Sequence, residues 1–262
     1  MKANPLHLYY REGRDALLEA RMDLSVVLPA HNEEATVADV VHEVHRTLAG
    51  WETQSEMILV DDGSTDRTGK IAHALATRDP SLRVVQHAPS RGYGGALKAG
   101  FAAARGEWIV FYPTDKQFIF SEIDMLLARV GEADIVTGYR LARRDNALRR
   151  LNALGWNLLV RALFGYLCRD VDCGFKLFWR GILDQVQLMS DGAMIDTELL
   201  AGAVARGYKI AEVPVTHRPR QSGRATGARV AVIVKAFRDL VRFRVRLSEE
   251  LRAERAQASV VG

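Results

Sequence analysis

Two adjacent carboxylates, Asp61 and Asp62, close the apolar run Met57-Ile58-Leu59-Val60 and stand directly before a Gly63-Ser64 turn. Acids delivered this way can accept hydrogen bonds from a base and a ribose, or help hold a metal. The run is short and has no helical period, so it reads as a buried parallel strand ending at the carboxyl edge of a sheet. Arg67 to Ala76 follows as a helix with Thr65 or Asp66 as its cap. A second corner, Pro29-Ala30-His31-Asn32-Glu33-Glu34, ends a strand at Leu24–Pro29 and opens a helix over about 33–48. Its early acids suit the positive end of that helix.

The elements around these corners alternate. Leu82–His87, Trp108–Tyr112 and Asp134–Thr137 read as strands, with helices over about 94–104 and 121–130 between them. Such alternation predicts an α/β fold: a Rossmann-like, mostly parallel sheet with helices on both faces. After residue 138 the rhythm changes. A long helical pattern over 145–167 is followed by a strand at 172–179, a helix at 195–206 and a strand at 209–215. A basic loop over 218–227 and one long basic helix over 228–255 complete the pattern, and 12–21 forms a short helix ahead of it.

Composition sets the class. The chain has 262 residues, 48% of them hydrophobic and 26% charged, which suits one large soluble domain with an appendage. No apolar run approaches the ~20 residues of a membrane span, and the first residues lack a signal-peptide core. Cys168 and Cys173 are too few for a disulfide framework, which fits a reducing, cytoplasmic setting. The net charge of +4 is unevenly spread. Residues 1–137 carry 14 Lys/Arg against 20 Asp/Glu, whereas 138–180 carry nine against three and 205–246 eleven against two. A basic second half implies an anionic partner: phosphates, a membrane surface or nucleic acid. Nucleic acid ranks last, because the basic segments lack interleaved aromatic platforms. His42 and His45 lie on an ordinary amphipathic helix with no third ligand nearby, so they are not read as a metal pair.

Further motifs follow in order. They are Arg91-Gly92-Tyr93-Gly94-Gly95-Ala96-Leu97-Lys98-Ala99-Gly100, Gly138-Tyr139-Arg140, Asp172-Cys173-Gly174-Phe175-Lys176, Asp196-Thr197-Glu198-Leu199-Leu200 and Glu212-Val213-Pro214-Val215. With the two strand-end corners, these make the chain resemble the family-2 glycosyltransferases of the GT-A fold over about residues 24–225. The resemblance points to the branch that makes polyprenyl-phosphate sugars, which includes dolichyl-phosphate mannose synthase. It implies an N-terminal extension at 1–22, a GT-A catalytic domain at 23–227 and an amphipathic C-terminal helix and tail at 228–262. Within the domain, 23–137 would be the donor half and 138–227 the acceptor half.

By that resemblance Pro29, His31, Glu33, Asp61, Asp62 and Lys98 border the donor nucleotide. The glycine-rich turn serves either nucleotide contact or plain helix-entry packing. GT-A enzymes usually carry Asp-x-Asp after the fourth strand, and this branch often continues to Gln. Here the row is Tyr112-Pro113-Thr114-Asp115-Lys116-Gln117, so Pro113 replaces the first acid. The resemblance then implies Mg²⁺ or Mn²⁺ on Asp115 and Gln117, with substrate phosphates completing the shell. Arg140 and Arg149 fall where the branch holds an acceptor phosphate. Arg220, Arg224 and His217 are the acceptor- or diphosphate-binding candidates of the C-terminal loop. Asp115, Arg140 and Arg149 are the residues expected to carry catalysis.

The implied reaction is inverting transfer of a hexose from a UDP- or GDP-sugar to a polyprenyl phosphate. A phosphate monoester is mostly dianionic at neutral pH, its second pKa lying near ~6, so it needs no general base. A soluble hydroxyl acceptor, or a nucleotide-sugar-binding protein without catalysis, are the alternatives. Asp196 and Glu198 diverge by about 200° on a helix, so each serves either as a base or as an ordering group for basic neighbours. Lys235, Arg238, Arg242 and Arg246 line one face of the last helix, with Ile233, Val234, Phe237, Leu240 and Val241 on the other. That pattern suits peripheral contact at the inner face of a membrane, or packing on the core or a second copy of the chain.

Overall fold

The computed structural model describes residues 23–49, 51, 54–141, 147–219 and 230–261, with backbone alone for 147–153, 230–236 and 258–261. The N-terminal helix expected at 12–21, together with Arg220 and Arg224, lies outside the described residues. Arg149 is described by its backbone alone.

Seven strands form one sheet: β1 (Leu24–Ala30), β2 (Ser55–Asp62), β3 (Leu82–His87), β4 (Trp108–Phe111), β5 (Ile135–Leu141), β6 (Lys176–Trp179) and β7 (Ile210–Thr216). Their spatial order is β3-β2-β1-β4-β6-β5-β7. All described pairings are parallel except those of β6 with β4 and β5. The helices are α1 (Val37–Leu48), α2 (Thr68–Ala76), α3 (Gly92–Ala103), α4 (Ile123–Leu127), α5 (Ala147–Phe164), α6 (Met194–Ala205) and α7 (Val230–Val261).

Alternation within β1 explains the two-faced core. Val26 and Leu28 join the cluster holding Val37, Val40, Val41 and Val44 of α1. Val27 points the other way, into the cluster with Ala96, Leu97 and Phe101 of α3 and Leu199 of α6. A strand buried on both faces must be apolar throughout, hence the unbroken run. β7 stands at the edge of the sheet, where Pro214 costs no ladder bond to a further strand.

Among the boundaries that differ from the sequence pattern, four have a clear local reason. Residues 33–36 form a turn in which Glu33 O accepts Thr36 N and Val37 N (3.0 and 2.9 Å), so α1 starts at Val37. The helix expected over 121–130 divides into a 3₁₀ turn, Phe120–Glu122, and the short α4. α5 stops at Phe164 because Gly165 takes φ +82°, the left-handed conformation that glycine enters without a Cβ penalty. The strand expected from 172 starts at Lys176, since Cys173 N turns back to Asp170 O (3.1 Å).

The apolar side of α7 is split rather than single. Leu240, Phe243 and Leu247 are buried, and Phe243 lies 5.3 Å from Phe164 of α5. Phe237, Val241 and Val245 are exposed at 52%, 42% and 54%. This corrects the expectation that Phe237, Leu240 and Val241 share one face. Arg246 also leaves the basic face and turns inward, to Glu198 of α6 (3.1 Å). Among the described residues no helix is long and apolar enough to cross a membrane.

Candidate functional site

Strand order reverses between β1 and β4, which makes the crevice beyond their carboxyl ends the ligand position expected of an open α/β sheet. β2 borders it, with Ala30 in register with Asp61. β6 runs opposite to its neighbours, so its first residue, Lys176, pairs with Phe111 and Thr137 at the same edge. The loop before β6 therefore enters the crevice rather than the far side of the sheet.

The first two corners are stitched together. Asn32 N donates to Ser64 Oγ (2.9 Å), Thr65 N to Asn32 Oδ1 (2.8 Å) and Glu33 N to Thr68 Oγ1 (2.8 Å). Asn32 holds φ 56° to make these contacts, a conformation asparagine tolerates better than most residues. His31 Nδ1 donates to Asp62 O (2.7 Å), which leaves Nε2 to accept from Asn32 Nδ2 (3.2 Å) in the neutral ring. Glu33 is buried, and its Oε2 accepts from Thr36 Oγ1 (3.0 Å). Asp61 is buried with one partner on each oxygen, Ser64 N (3.1 Å) and Gln86 Nε2 (3.0 Å). A Cβ on Gly69 would stand 2.4 Å from Asp61 Oδ2, so a glycine there admits the carboxylate.

Asp62 differs from its neighbour. Its carboxylate takes Ser90 Oγ (2.6 Å), His87 Nδ1 (2.7 Å) and the amides of Arg91 and Gly92 (2.8 Å each). Burial opposes its ionisation, but the hydrogen bonds from Ser90, Arg91, His87 and Gly92 outweigh that and hold it below its ordinary range. Asp62 thus shapes the turn into α3. Lys98 likewise reaches the 189–191 turn, donating to Met189 O (2.9 Å) and pairing with Asp191 (2.7 Å).

Across the crevice, Thr114 Oγ1 ties the β4 loop to Pro29 O (2.8 Å). Asp115 Oδ1 accepts Gln117 N (3.1 Å), while Gln117 Nε2 donates to His217 Nε2 (3.2 Å) and Arg218 O (3.3 Å). Gln117 and His217 are therefore brought together although 100 residues apart. Lys116 turns away at φ 58° to pair with Asp39 of α1 (2.7 Å). No group of three or more His, Cys, Asp or Glu residues among the described residues can hold a metal ion. One carboxylate beside an amide-bearing loop fits a hard cation shared with substrate phosphates, not a cage made by protein alone.

The rim on the β5–β7 side is built from ion pairs. Arg140, at the end of β5, grips Asp170 with Nε and one terminal nitrogen (2.6 and 2.7 Å), and both side chains are largely buried. Burial disfavours the cation, yet the Asp170 bonds raise the Arg140 pKa above its usual value. Lys176 and Asp196 form a second pair at 2.6 Å, at 0% and 2% side-chain exposure, with Lys176 also donating to Cys173 O. Glu198 accepts the amides of Met189 and Ser190 and pairs with Arg246. Asp196 and Glu198 thus take the ordering role, not that of an exposed base. Arg169 stacks over Tyr139, its carbon 4.6 Å from the ring centre. Both cysteines are free and buried, and burial pushes the Cys168 and Cys173 thiols up to about 12 and about 11.

Asp172 stands apart. Its Oδ1 is shut from solvent without a hydrogen-bond partner. Burial, then the Asp196 charge, raises its pKa to about 7. Burial and the charges of Asp196, Asp172 and Asp115 raise the Tyr93 phenol well above its ordinary value, so α3 faces the same acidic ground. The Lys176–Asp196 pair was missed from sequence. The available signal was a lysine opening the apolar strand Lys176–Trp179 and acids in the mainly apolar α6.

An open sheet with acid-bearing strand ends at its switch-point crevice fits the ligand position of nucleotide-binding α/β folds. The chain matches the glycosyl transferase family 2 model over residues 25–187 and belongs to that family. It is 34% identical over 216 residues to glycosyltransferase AglD of Haloferax volcanii, covering 78% of this chain and 34% of that protein. It is 32% identical to a dodecaprenyl-phosphate galacturonate synthase of Rhizobium johnstonii, covering 77% of this chain and 61% of the relative. A dolichyl-phosphate hexose transferase of Haloferax volcanii is 30% identical, with 76% and 84% covered. The chain thus spans about a third of the first of these relatives and about three fifths of the second. The GT-A fold is shared with glucosyl-3-phosphoglycerate synthase from Mycobacterium tuberculosis, solved in complex with UDP. The TM-score is 0.70 at 24% identity, over 90% of this chain and 86% of that one.

Proposed function

We propose that the protein transfers a hexose, with inversion, from a UDP- or GDP-sugar to a polyprenyl phosphate. The observation that carries this reading is the single crevice shared by the ends of β1, β2 and β4, rimmed by the ends of β5 and β7. Relatives named for dodecaprenyl-phosphate and dolichyl-phosphate chemistry support the acceptor class.

Pro29, His31, Glu33 and Asp61 border the base and ribose, with Asp62 and Lys98 acting through the α3 entry. Asp115 and Gln117 would hold Mg²⁺ or Mn²⁺ together with the donor diphosphate, and such an ion supplies charge neutralisation for the leaving group. His217, anchored by Gln117, faces the same diphosphate. Arg149, Arg220 and Arg224 receive the acceptor phosphate. Arg140, already filled by Asp170, orders residues 169–171. A phosphate dianion attacks directly, in line, so no protein base and no covalent intermediate are needed. The exposed row Phe237, Val241 and Val245, flanked by Arg238 and Arg242, makes peripheral contact with an anionic membrane.

Incubating the protein with UDP- and GDP-sugars and Mg²⁺ or Mn²⁺, with and without undecaprenyl phosphate, tests this. Nucleotide release that depends on the lipid, with a lipid-linked sugar as product, is expected. Arg149→Ala abolishes that product under this reading. A second reading is favoured by Asp172, whose raised pKa and unpartnered Oδ1 suit a general base for a hydroxyl acceptor. Under that reading, sugar appears on a soluble alcohol and Asp172→Asn stops it.

A further inference from the structure

Gly92 and Gly94 are small because of a turn from the other half of the chain. A Cβ on Gly92, where φ is +81°, would lie 2.6 Å from Asp191 O; one on Gly94 would lie 2.4 Å from Ser190 O and 2.8 Å from Gly192 O. Gly94 N donates to Asp191 O (2.9 Å), and Lys98 closes the contact through Met189 O and Asp191. The glycine-rich entry to α3 is therefore gripped twice. Asp62 holds the amides of Arg91 and Gly92 from the β2 side. The 189–192 turn holds it from the opposite side.

What holds that turn is a buried carboxylate. Glu198, 4% exposed on α6, accepts Met189 N (2.8 Å) and Ser190 N (2.9 Å) on Oε2. Its other oxygen accepts from Arg246 of α7 (3.1 Å), which also reaches Gln187 O (3.4 Å). The path runs without a gap from α7 through Glu198 and the 189–192 turn to Gly94, and from Gly92 to Asp62.

We infer that Glu198 is a positioning residue for the donor site, clasping the 189–192 turn against the α3 entry so that the entry keeps its donor-binding shape. This rests on the donor reading given above. Glu198 touches no substrate; it acts through the turn. Arg246 makes the C-terminal helix a member of the clasp.

The test combines UDP and GDP titration calorimetry, with Mg²⁺, and amide hydrogen exchange on the full chain. Glu198→Ala is expected to weaken nucleotide binding by about tenfold or more. The same change is expected to speed exchange at 189–192 and at 92–98 together, leaving the β2 amides at 57–60 unchanged. Glu198→Gln keeps a carbonyl oxygen for both amides and should bind nucleotide within about threefold of the parent. Gly94→Ala, which pushes the turn away with Glu198 intact, should reproduce the loss of affinity. This variant decides the matter if Glu198→Ala does not fold. Parent-like affinity in Glu198→Ala or Gly94→Ala, or faster exchange at 189–192 alone, overturns the clasp. If the parent binds neither UDP nor GDP, the donor reading fails, and the joint change in exchange at 189–192 and 92–98 alone decides the clasp.

Discussion

Carboxylates on the two sides of the crevice do different work. On the β1–β4 side, Asp61, Asp62 and Asp66 accept amides and hydroxyls and so fold loops. On the β5–β7 side, Asp170, Asp196 and Glu198 each face a cation: Arg140, Lys176 and Arg246. The first rim is thus shaped by backbone geometry and the second by balanced buried charge. The basic surplus of residues 138–180 does not all face the crevice, because Arg140 and Lys176 are already neutralised.

The largest expected effect separates the two designs. Lys176→Met leaves Asp196 buried without its cation and should cost about 3–5 kcal/mol in denaturant unfolding. On the β1–β4 side, Lys116→Ala removes a partly exposed pair with Asp39 and should cost no more than about 1 kcal/mol. Equal losses would erase the contrast. A double change, Lys176→Met with Asp196→Leu, should recover most of the stability. Next comes Asp115→Ala, expected to lower sugar transfer by about 10²–10³-fold while the melting temperature stays close to that of the parent.

The contrast extends to pH. Asp62 has its folded pKa lowered, so its contribution is present above the ordinary carboxylate pKa and disappears as pH falls through the folded value. Asp172 has its folded pKa raised to about 7, so it penalises folding increasingly as pH rises from its unfolded value towards 7. Asp172→Asn should therefore raise the melting temperature more at pH 8 than at pH 5, by about 3–6 °C for a gain of about 1–2 kcal/mol. A larger gain at pH 5 would reverse the assignment. The smallest effect is expected at the surface. Serine at Phe237, Val241 and Val245 should weaken binding to anionic vesicles several-fold in sedimentation, and added salt should weaken the parent in the same direction.

Much of this was legible in the residues. Strands β1, β2 and β4 were readable because buried strands are mainly apolar runs, and each of the three is followed by a turn that carries an acid. The partnership of Gln117 with His217 was not, since no local pattern links the segments that follow β4 and β7. Nor was the burial of Lys176, which sequence shows only as a charge amid Phe175, Leu177 and Phe178. The split of α7 was hidden for another reason: periodicity defines a face but not which of two adjacent apolar rows meets the core. The glycine-rich turn left packing and ligand contact open, and the 189–192 turn supplies the packing partner at Gly92 and Gly94.

The central claim is that a phosphate, not a hydroxyl, receives the sugar. Its most direct test is the rate of transfer by the parent and Asp172→Asn to undecaprenyl phosphate and to undecaprenol, in parallel. The account predicts product from the phosphate only, at similar rates in both proteins. Transfer to undecaprenol, or loss of activity on the phosphate in Asp172→Asn, would contradict it.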